Sequence, residues 1–229
     1  MCIIGFAKTR KMSAAEIDRC WHSNSHGAGL AWWLEDGQTM FSKGFMVFDE
    51  FVRMHDRMKP PYVAHFRIAT GGSRSPQLTH PFIISKESPL VLSDVGQKII
   101  FHNGIISDWE KMYLGMKMRN EALQGEVMDS RVFAALLHKD ISLIKDIPGW
   151  SRFAVMDNGF KIDLYSVDIE DDGIFYSNSG YKPWTKPTYH GDHNYSKSNG
   201  FWIGNKYYSN WEAYMEENYK YDDHGYEFE

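Results

Sequence analysis

The opening stretch of the chain, Met1-Cys2-Ile3-Ile4-Gly5-Phe6-Ala7, constrains its fold most strongly. The β-branched pair before Gly5 favours a buried strand that starts at once and holds the terminus in place. If Met1 is removed, Cys2 carries a thiol and a free α-amino group on one residue. A thiolate is a strong nucleophile, and an α-amino group with a pKa of about 7.7–8.0 can move protons near neutral pH. The stretch therefore predicts a strand with a reactive first residue; the simpler alternative is an ordinary cysteine after the initiator.

Length and composition restrict the class of protein. A chain of 229 residues with 43% hydrophobic and 15% aromatic residues predicts one globular domain over residues 1–229. The net charge of −5 gives no bulk attraction to nucleic acid or to anionic membranes, and no apolar run approaches the ~20 residues of a membrane span. Neither nucleic acid nor a membrane is therefore expected as a partner. The two cysteines and the lack of an apolar signal segment predict a cytoplasmic, reducing setting.

Periodicity and breaker residues predict a mixture of helices and strands. Ser13-Ala14-Ala15-Glu16 is typical of a capping box that opens a helix, on which Cys20 is expected as a small buried residue. Asp36-Gly37 predicts a hairpin turn, and Ser107-Asp108-Trp109-Glu110 predicts a second capping box. Further helices are predicted at 48–58 and 129–137. Strands are predicted in the apolar run that ends at Trp33 and at 39–44, 62–67, 98–104, 151–156, 162–167 and 173–176, the last two separated by an acidic connection over 168–172.

Three polar groups stand at the ends of predicted elements. Arg67 ends an apolar strand, where a charge is costly unless it holds an anion; the alternative is a surface arginine on an edge strand. Asn103-Gly104 ends another strand and is either a simple bend or a pair of donors, side-chain amide and backbone N–H, for a developing oxyanion. Asp129 begins a helix and is either a binding carboxylate or an ordinary helix cap.

The composition changes from Gly180 onward, where Tyr, Trp, Asn, Lys and Gly replace aliphatic residues. His190-Gly191-Asp192-His193 is far short of a zinc signature, so no metal is expected there, and a short helix is expected at 211–217. The aromatic side chains of this segment either form a partner surface or cover the core.

Four features in this order and spacing resemble one known family. They are Cys2 after Met1, Arg67-Ile68-Ala69-Thr70 after a strand, His102-Asn103-Gly104 after another strand, and Asp129-Ser130 at the start of a helix. Together they resemble the class II glutamine amidotransferases, the glutaminase domains of the N-terminal-nucleophile (Ntn) hydrolases. The likeness covers about residues 2–180, including the 26–31 segment, and the loop after Thr70 is most similar to the phosphoribosyl-pyrophosphate amidotransferase branch. Residues 181–229 match no known pattern.

The resemblance implies a fold and a set of roles. The fold is an α+β, four-layer αββα sandwich of two antiparallel sheets between helical layers. Cys2 would attack the side-chain amide of L-glutamine, and Asn103 and the Gly104 N–H would form the oxyanion hole. Arg67 would bind the substrate α-carboxylate, Asp129 its α-ammonium group, and Thr70 would support that end of the pocket. No metal or cofactor is implied.

The chain also departs from fuller members of the family. It has no room for the second domain that uses the ammonia, so the resemblance implies an ammonia-accepting synthase on another chain or free glutaminase activity. Gly71 stands where some branches have a histidine, which leaves amide recognition open. Two alternatives therefore stay open: hydrolysis of a γ-glutamyl amide or other small amide on the same scaffold, and a non-catalytic binding protein of this fold.

Overall fold

The fold is that of a computed structural model, which describes residues 1–147, 149–183, 201–203 and 206–208. The chain divides into two compact units, Met1–Trp184 and Thr185–Glu229. The second unit contributes one described hairpin, in which Phe201–Ile203 pairs antiparallel with Lys206–Tyr208. The expectation that residues 1–229 form one domain stays a prediction.

The first unit contains eleven strands and four α-helices within the described residues. The strands are β1 Ile3–Ala7, β2 Ala28–Trp33, β3 Thr39–Phe45, β4 Tyr62–Phe66, β5 Phe82–Ile83, β6 Ser93–Val95, β7 Ile99–Asn103, β8 Arg152–Asp157, β9 Lys161–Tyr165, β10 Ile169–Asp171 and β11 Ile174–Tyr176. The helices are α1 Ala14–Ser23, α2 Phe48–His55, α3 Trp109–Met118 and α4 Asp129–Leu137, with 3₁₀ turns at Pro76–Leu78, Ile141–Asp146 and Ser179–Tyr181.

The strands form two antiparallel sheets. The larger has seven strands in the order β10-β11-β1-β4-β2-β3-β6, and the smaller has four in the order β5-β7-β8-β9. In the larger sheet β1 lies between β11 and β4, with Ile4 opposite His65 and Gly5 opposite both Ala64 and Tyr176. The first residues of the chain are therefore held by hydrogen bonds on both sides, as the opening stretch predicts.

Alternation along the strands separates three apolar layers. Ile3 of β1 packs with Ile17 of α1 and Phe51 of α2, whereas Ile4 packs with Phe101 of the smaller sheet. A third layer joins the far face of the smaller sheet to α4. The order is thus helices, sheet, sheet, helices, and the predicted four-layer αββα sandwich is confirmed.

The predictions for the start of α1 and for Cys20 are confirmed. Ser13 caps α1, since its hydroxyl accepts from the Glu16 N–H while the Glu16 side chain bonds the Ser13 N–H. Cys20 is fully buried, as expected.

Three local predictions are wrong. The second capping box does not form, because α3 starts after Asp108, whose carboxylate bonds Lys111 at 2.6 Å instead of capping the helix. Helix α2 ends at His55 and not at 58. The acidic connection over 168–172 contains strand β10, which pairs with β11. The segments 190–193 and 211–217 lie outside the described residues.

Candidate active site

A cavity of about 110 Å³ opens where the start of β1, the ends of β4 and β7, and the start of α4 converge. Five of the six residues predicted for the site line it: Cys2, Arg67, Thr70, Gly104 and Asp129. Asn103 does not line it, although it directly precedes Gly104. The structure therefore brings together residues that are up to 127 positions apart, from Cys2 to Asp129.

Cys2 lies immediately before β1, on the same face as Ile4 because side chains alternate along a strand. Its Sγ donates to the Ile68 carbonyl at 3.5 Å, and its own carbonyl accepts from Asn178 Nδ2 at 2.7 Å. Burial raises the pKa of the Cys2 thiol, so the sulfur is held as a thiol until a base takes its proton.

Arg67 follows β4 and is 1% exposed, so the alternative of a surface arginine is wrong. Its guanidinium donates to two carbonyls of the next loop, Ser73 O at 2.9 Å and Gly71 O at 3.2 Å. Ser73 in turn binds both Glu126 carboxylate oxygens, through its N–H and its hydroxyl, at 2.6 Å each. Thr70, which is exposed, lies on this loop. Hydrogen bonds from Arg67 to Gly71 and Ser73, and from Ser73 to Glu126, therefore hold the loop in place.

Gly104 directly follows β7 and has a φ of +151°, a backbone conformation that favours glycine. A Cβ at this position would meet Ser151 Oγ at 2.6 Å and Ser151 Cα at 2.9 Å. Both the dihedral angle and the close packing against Ser151 therefore require glycine at position 104. The Gly104 backbone lines the cavity.

Asn103 is fully buried behind that wall. Its Nδ2 donates to Ser177 Oγ at 2.9 Å, and the same hydroxyl accepts from the Ile4 N–H at 2.9 Å. Ser177 therefore joins Asn103 of the smaller sheet to β1 of the larger one. A carboxamide has two N–H donors, and this contact uses one of them.

Asp129 is the first residue of α4, and the N-cap is Met128, so the alternative of an ordinary helix cap is wrong. Its carboxylate accepts from the Ser130 N–H at 2.6 Å and from the Ile106 N–H at 3.2 Å. His102 Nδ1 lies 3.9 Å from Asp129 Oδ2. The carboxylate is held in a fixed orientation while 15% of the side chain remains exposed at the cavity.

Several residues around the cavity have no pattern in the sequence that predicts a role for them. Ser177 and Asn178 follow a three-residue strand and have no motif of their own, so only the contact with β1 reveals them. His80 and His102 line the cavity wall, and His65 packs behind them with its ring 4.2 Å from that of His80. We call His65, His80 and His102 the histidine cluster.

No group of three or more His, Cys, Asp or Glu side chains in residues 1–147 and 149–183 is placed to hold a metal ion. The helices of the described part of the chain all lack either the length or the apolar character of a membrane-crossing segment.

No protein-family model and no curated protein matches the sequence. Among solved structures, the chain is similar to glutamine phosphoribosylpyrophosphate amidotransferase from B. subtilis in complex with ADP and GMP, with a TM-score of 0.52 and 15% identity. That match covers 77% of this chain and 41% of the other, so the chain spans about two fifths of that protein's length. A structure of the allosteric regulatory enzyme of purine biosynthesis matches at a TM-score of 0.45 and 19% identity, over 68% of this chain and 35% of the other. The first likeness shows a shared fold, in agreement with the layer order.

Proposed function

We propose that the chain is an N-terminal-cysteine amidohydrolase that converts L-glutamine to glutamate and ammonia. One observation carries the proposal: a cysteine thiol, a buried guanidinium and a carboxylate line the same cavity. Free glutamine is a zwitterion at its α-carbon, so its recognition needs one positive and one negative group. Arg67 and Asp129 supply these charges, with Thr70 on the adjacent loop.

The proposed reaction begins after Met1 is removed. The α-amino group of Cys2 takes the thiol proton, and the sulfur attacks the amide carbon of the substrate. The Gly104 N–H and the second Nδ2 proton of Asn103 stabilise the negative oxygen of the tetrahedral intermediate. The α-ammonium group then protonates the leaving nitrogen, the C–N bond breaks, and ammonia departs from a thioester on Cys2.

The second half of the reaction regenerates the thiol. The α-amino group removes a proton from water, the hydroxide attacks the thioester carbon, and glutamate leaves as the sulfur regains its proton. Because the pKa of the Cys2 thiol is raised, the sulfur needs a base to lose its proton, and this route supplies that base as the α-amino group of the same residue.

The setting and the partner follow from the same proposal. Both cysteines of the chain are free, which suits a reducing compartment, and we propose the cytoplasm. The ammonia either passes to a synthase on another chain or leaves into solvent.

Covalent labelling tests the proposal. The intact mass is measured after incubation with the glutamine analogue 6-diazo-5-oxo-L-norleucine, with and without excess L-glutamine. We expect a chain without Met1 that gains one label, protection by glutamine, loss of labelling in Cys2→Ala, and full labelling in Cys20→Ala. A chain that keeps Met1, or one that loses Met1 and stays unlabelled, overturns the proposal and favours a non-catalytic binding protein.

Ammonia release separates the substrate alternatives. The expected result is ammonia release from L-glutamine at a rate at least equal to the rate at which γ-glutamyl amides are hydrolysed to glutamate and an amine. Cleavage of a γ-glutamyl amide with inert glutamine would assign the cavity to that substrate instead.

A further inference from the structure

His80 has a hydrogen-bonding capacity that the chain does not use. The residue is 2% exposed and lines the cavity, yet neither ring nitrogen has a partner within the described residues. An unpaired buried polar group typically costs about 1–3 kcal/mol, so most such groups find a partner. Two unpaired buried nitrogens on a residue that lines a cavity suit a partner that enters the cavity.

The donors of the other two members of the histidine cluster are already engaged, and of their ring nitrogens only His65 Nδ1, an acceptor, has no partner within the described residues. His65 Nε2 donates to the His102 carbonyl at 3.0 Å. His102 bonds Ser130 Oγ at 2.8 Å through Nδ1 and Ser151 Oγ at 3.3 Å through Nε2. The free donor of the cluster is therefore on His80.

The segment that carries His80 is fixed in place. A Cβ on Gly29 of β2 would collide with the His80 carbonyl, so this strand and the His80 backbone are in direct contact. The ring packs edge-on against Phe82 at a centroid distance of 4.9 Å and lies 4.2 Å from the ring of His65. His80 is thus held rigidly, as a binding residue requires.

The surroundings of His80 favour a negatively charged partner. Arg67 is the next residue after His65 on the same face of the chain, and its guanidinium donates to loop carbonyls. Lys43 is 4% exposed and donates to the Pro81 carbonyl at 2.9 Å. Burial, followed by the charges of the other histidines, Lys43 and Arg67, lowers the pKa of His80 well below its ordinary value, so the ring is neutral.

A neutral imidazole in this position offers one N–H donor beside buried cations. Asp129 is the one carboxylate among the described residues that line the cavity, and it already accepts from Ser130 and Ile106. An N–H donor on His80 and a positive charge on Arg67 therefore favour the binding of a carboxylate over that of a cationic or apolar group.

We infer that His80 is a substrate-binding residue that donates a hydrogen bond to the substrate carboxylate held by Arg67, and that it makes the cavity selective for acids. The inference rests on the proposed function, since that function identifies the carboxylate as the α-carboxylate of L-glutamine.

Binding measurements on substituted proteins test this inference. Each variant is made in a Cys2→Ala background so that ligands are not consumed, and calorimetry compares L-glutamine with its α-amide, which has the same shape but no carboxylate. His80→Leu is expected to weaken L-glutamine binding roughly 10–100-fold, the range for a hydrogen bond to a charged group, and to leave α-amide binding unchanged. His80→Gln, which keeps a donor, restores much of the affinity.

A matched control separates binding from folding. His55 is 1% exposed and bonds the Tyr62 hydroxyl at 2.7 Å in the core beneath α2, away from the cavity. His55→Leu removes a buried histidine of the same kind and should leave both affinities unchanged. If His80→Leu does not fold, ring-¹⁵N spectra of the Cys2→Ala protein replace it: L-glutamine should shift the His80 signals and leave those of His55 in place.

The outcomes distinguish the two proposals. Equal L-glutamine affinity with and without the His80 ring overturns the inference and assigns a water molecule to those nitrogens, while the proposed function stands. If L-glutamine does not bind but glutarate binds in a His80-dependent way, the carboxylate role stands and the proposed substrate is wrong. If no ligand of the set binds, both are overturned.

Discussion

Two polar clusters flank the seven-stranded sheet, and the chain completes the hydrogen bonds of one cluster but not those of the other. At the helix-covered face, the Glu16 carboxylate accepts from both Arg10 Nη atoms at 2.8–2.9 Å, from the Ser13 N–H at 2.7 Å and from the Tyr176 hydroxyl at 3.1 Å. We call these four residues the Glu16 cluster. On the other side of the sheet, the histidine cluster leaves both nitrogens of His80 and Nδ1 of His65 without a partner among the described residues. A cluster that the chain completes stabilises the fold, whereas an incomplete one next to a cavity is suited to a ligand.

The two cysteines repeat this contrast. Cys20 is fully buried in the apolar layer under α1, and Cys2 lines the cavity. Burial raises the thiol pKa of both. Access to the cavity, and not thiol acidity, therefore distinguishes the candidate nucleophile from the structural cysteine.

The largest expected difference is between substitutions of these two cysteines. Cys2→Ala should lower the kcat for ammonia release from L-glutamine by at least about 10⁴-fold, the scale seen when a nucleophile is removed. Cys20→Ala should cost stability through a small cavity and leave kcat unchanged. Steady-state assays at a temperature where both variants are folded measure this, and equal activity in the two variants would break the contrast.

A second pair of variants tests how closely the residues around Gly104 are packed at the cavity wall. Gly104→Ala combines a positive φ with a collision against Ser151, and should lower the free energy of unfolding by roughly 4 kcal/mol. Gly149→Ala, where a Cβ meets nothing within 4 Å, should change it by less than about 0.5 kcal/mol. Urea unfolding measures both; similar values for the two variants would contradict the packing described for Gly104.

Acid sensitivity should identify the Glu16 cluster as the stabilising one. Burial alone would raise the pKa of Glu16, but hydrogen bonds from Arg10, Ser13 and Tyr176 outweigh it and lower the pKa from 4.5 to about 2. Because the folded-state pKa is depressed, the stabilisation is present above pH 4.5 and is lost as the pH falls toward 2. A shift of this size corresponds to about 3 kcal/mol.

Unfolding measured across that pH window provides the test. The unsubstituted protein should lose about 3 kcal/mol more than Glu16→Gln does between these pH values. Glu50→Gln, which changes an exposed carboxylate in the first turn of α2, should follow the unsubstituted protein. A parallel loss in Glu16→Gln would mean that another group controls the acid response.

The smallest expected effect concerns the link between the sheets. Ser177→Ala leaves the Ile4 N–H and Asn103 Nδ2 without their acceptor and should cost roughly 2 kcal/mol of unfolding free energy. It should also lower kcat, because Asn103 loses its anchor. Ser88→Ala removes a buried hydroxyl that has no partner among the described residues, and should be close to neutral. If both serines behave alike, Ser177 does not anchor Asn103.

Many helices and strands could be predicted from the sequence because their signals are local, whereas the four-layer fold and the roles of the site residues were implied by the family resemblance and not by any local pattern. Alternation of apolar residues marks strands such as β4, and Ser13 with Glu16 marks the start of α1. The errors occur where local signals compete. Asp108 binds Lys111 instead of capping α3, and the acidic residues of β10 resemble a turn although the strand pairs with β11.

The sequence by itself determined which residue types are present at the ends of elements: a cysteine before the first strand, Arg67 after another, Asn103-Gly104 after a third and Asp129 at a helix start. Only the tertiary structure decided what each of them contacts. Ser177 lies 74 residues from Asn103, and His65 lies 37 residues from the His102 carbonyl that it binds. Such contacts depend on how two sheets stack and which strand ends meet, and periodicity along one strand carries no information about either. For the same reason the unused donor on His80 becomes visible only when its neighbours are placed around it.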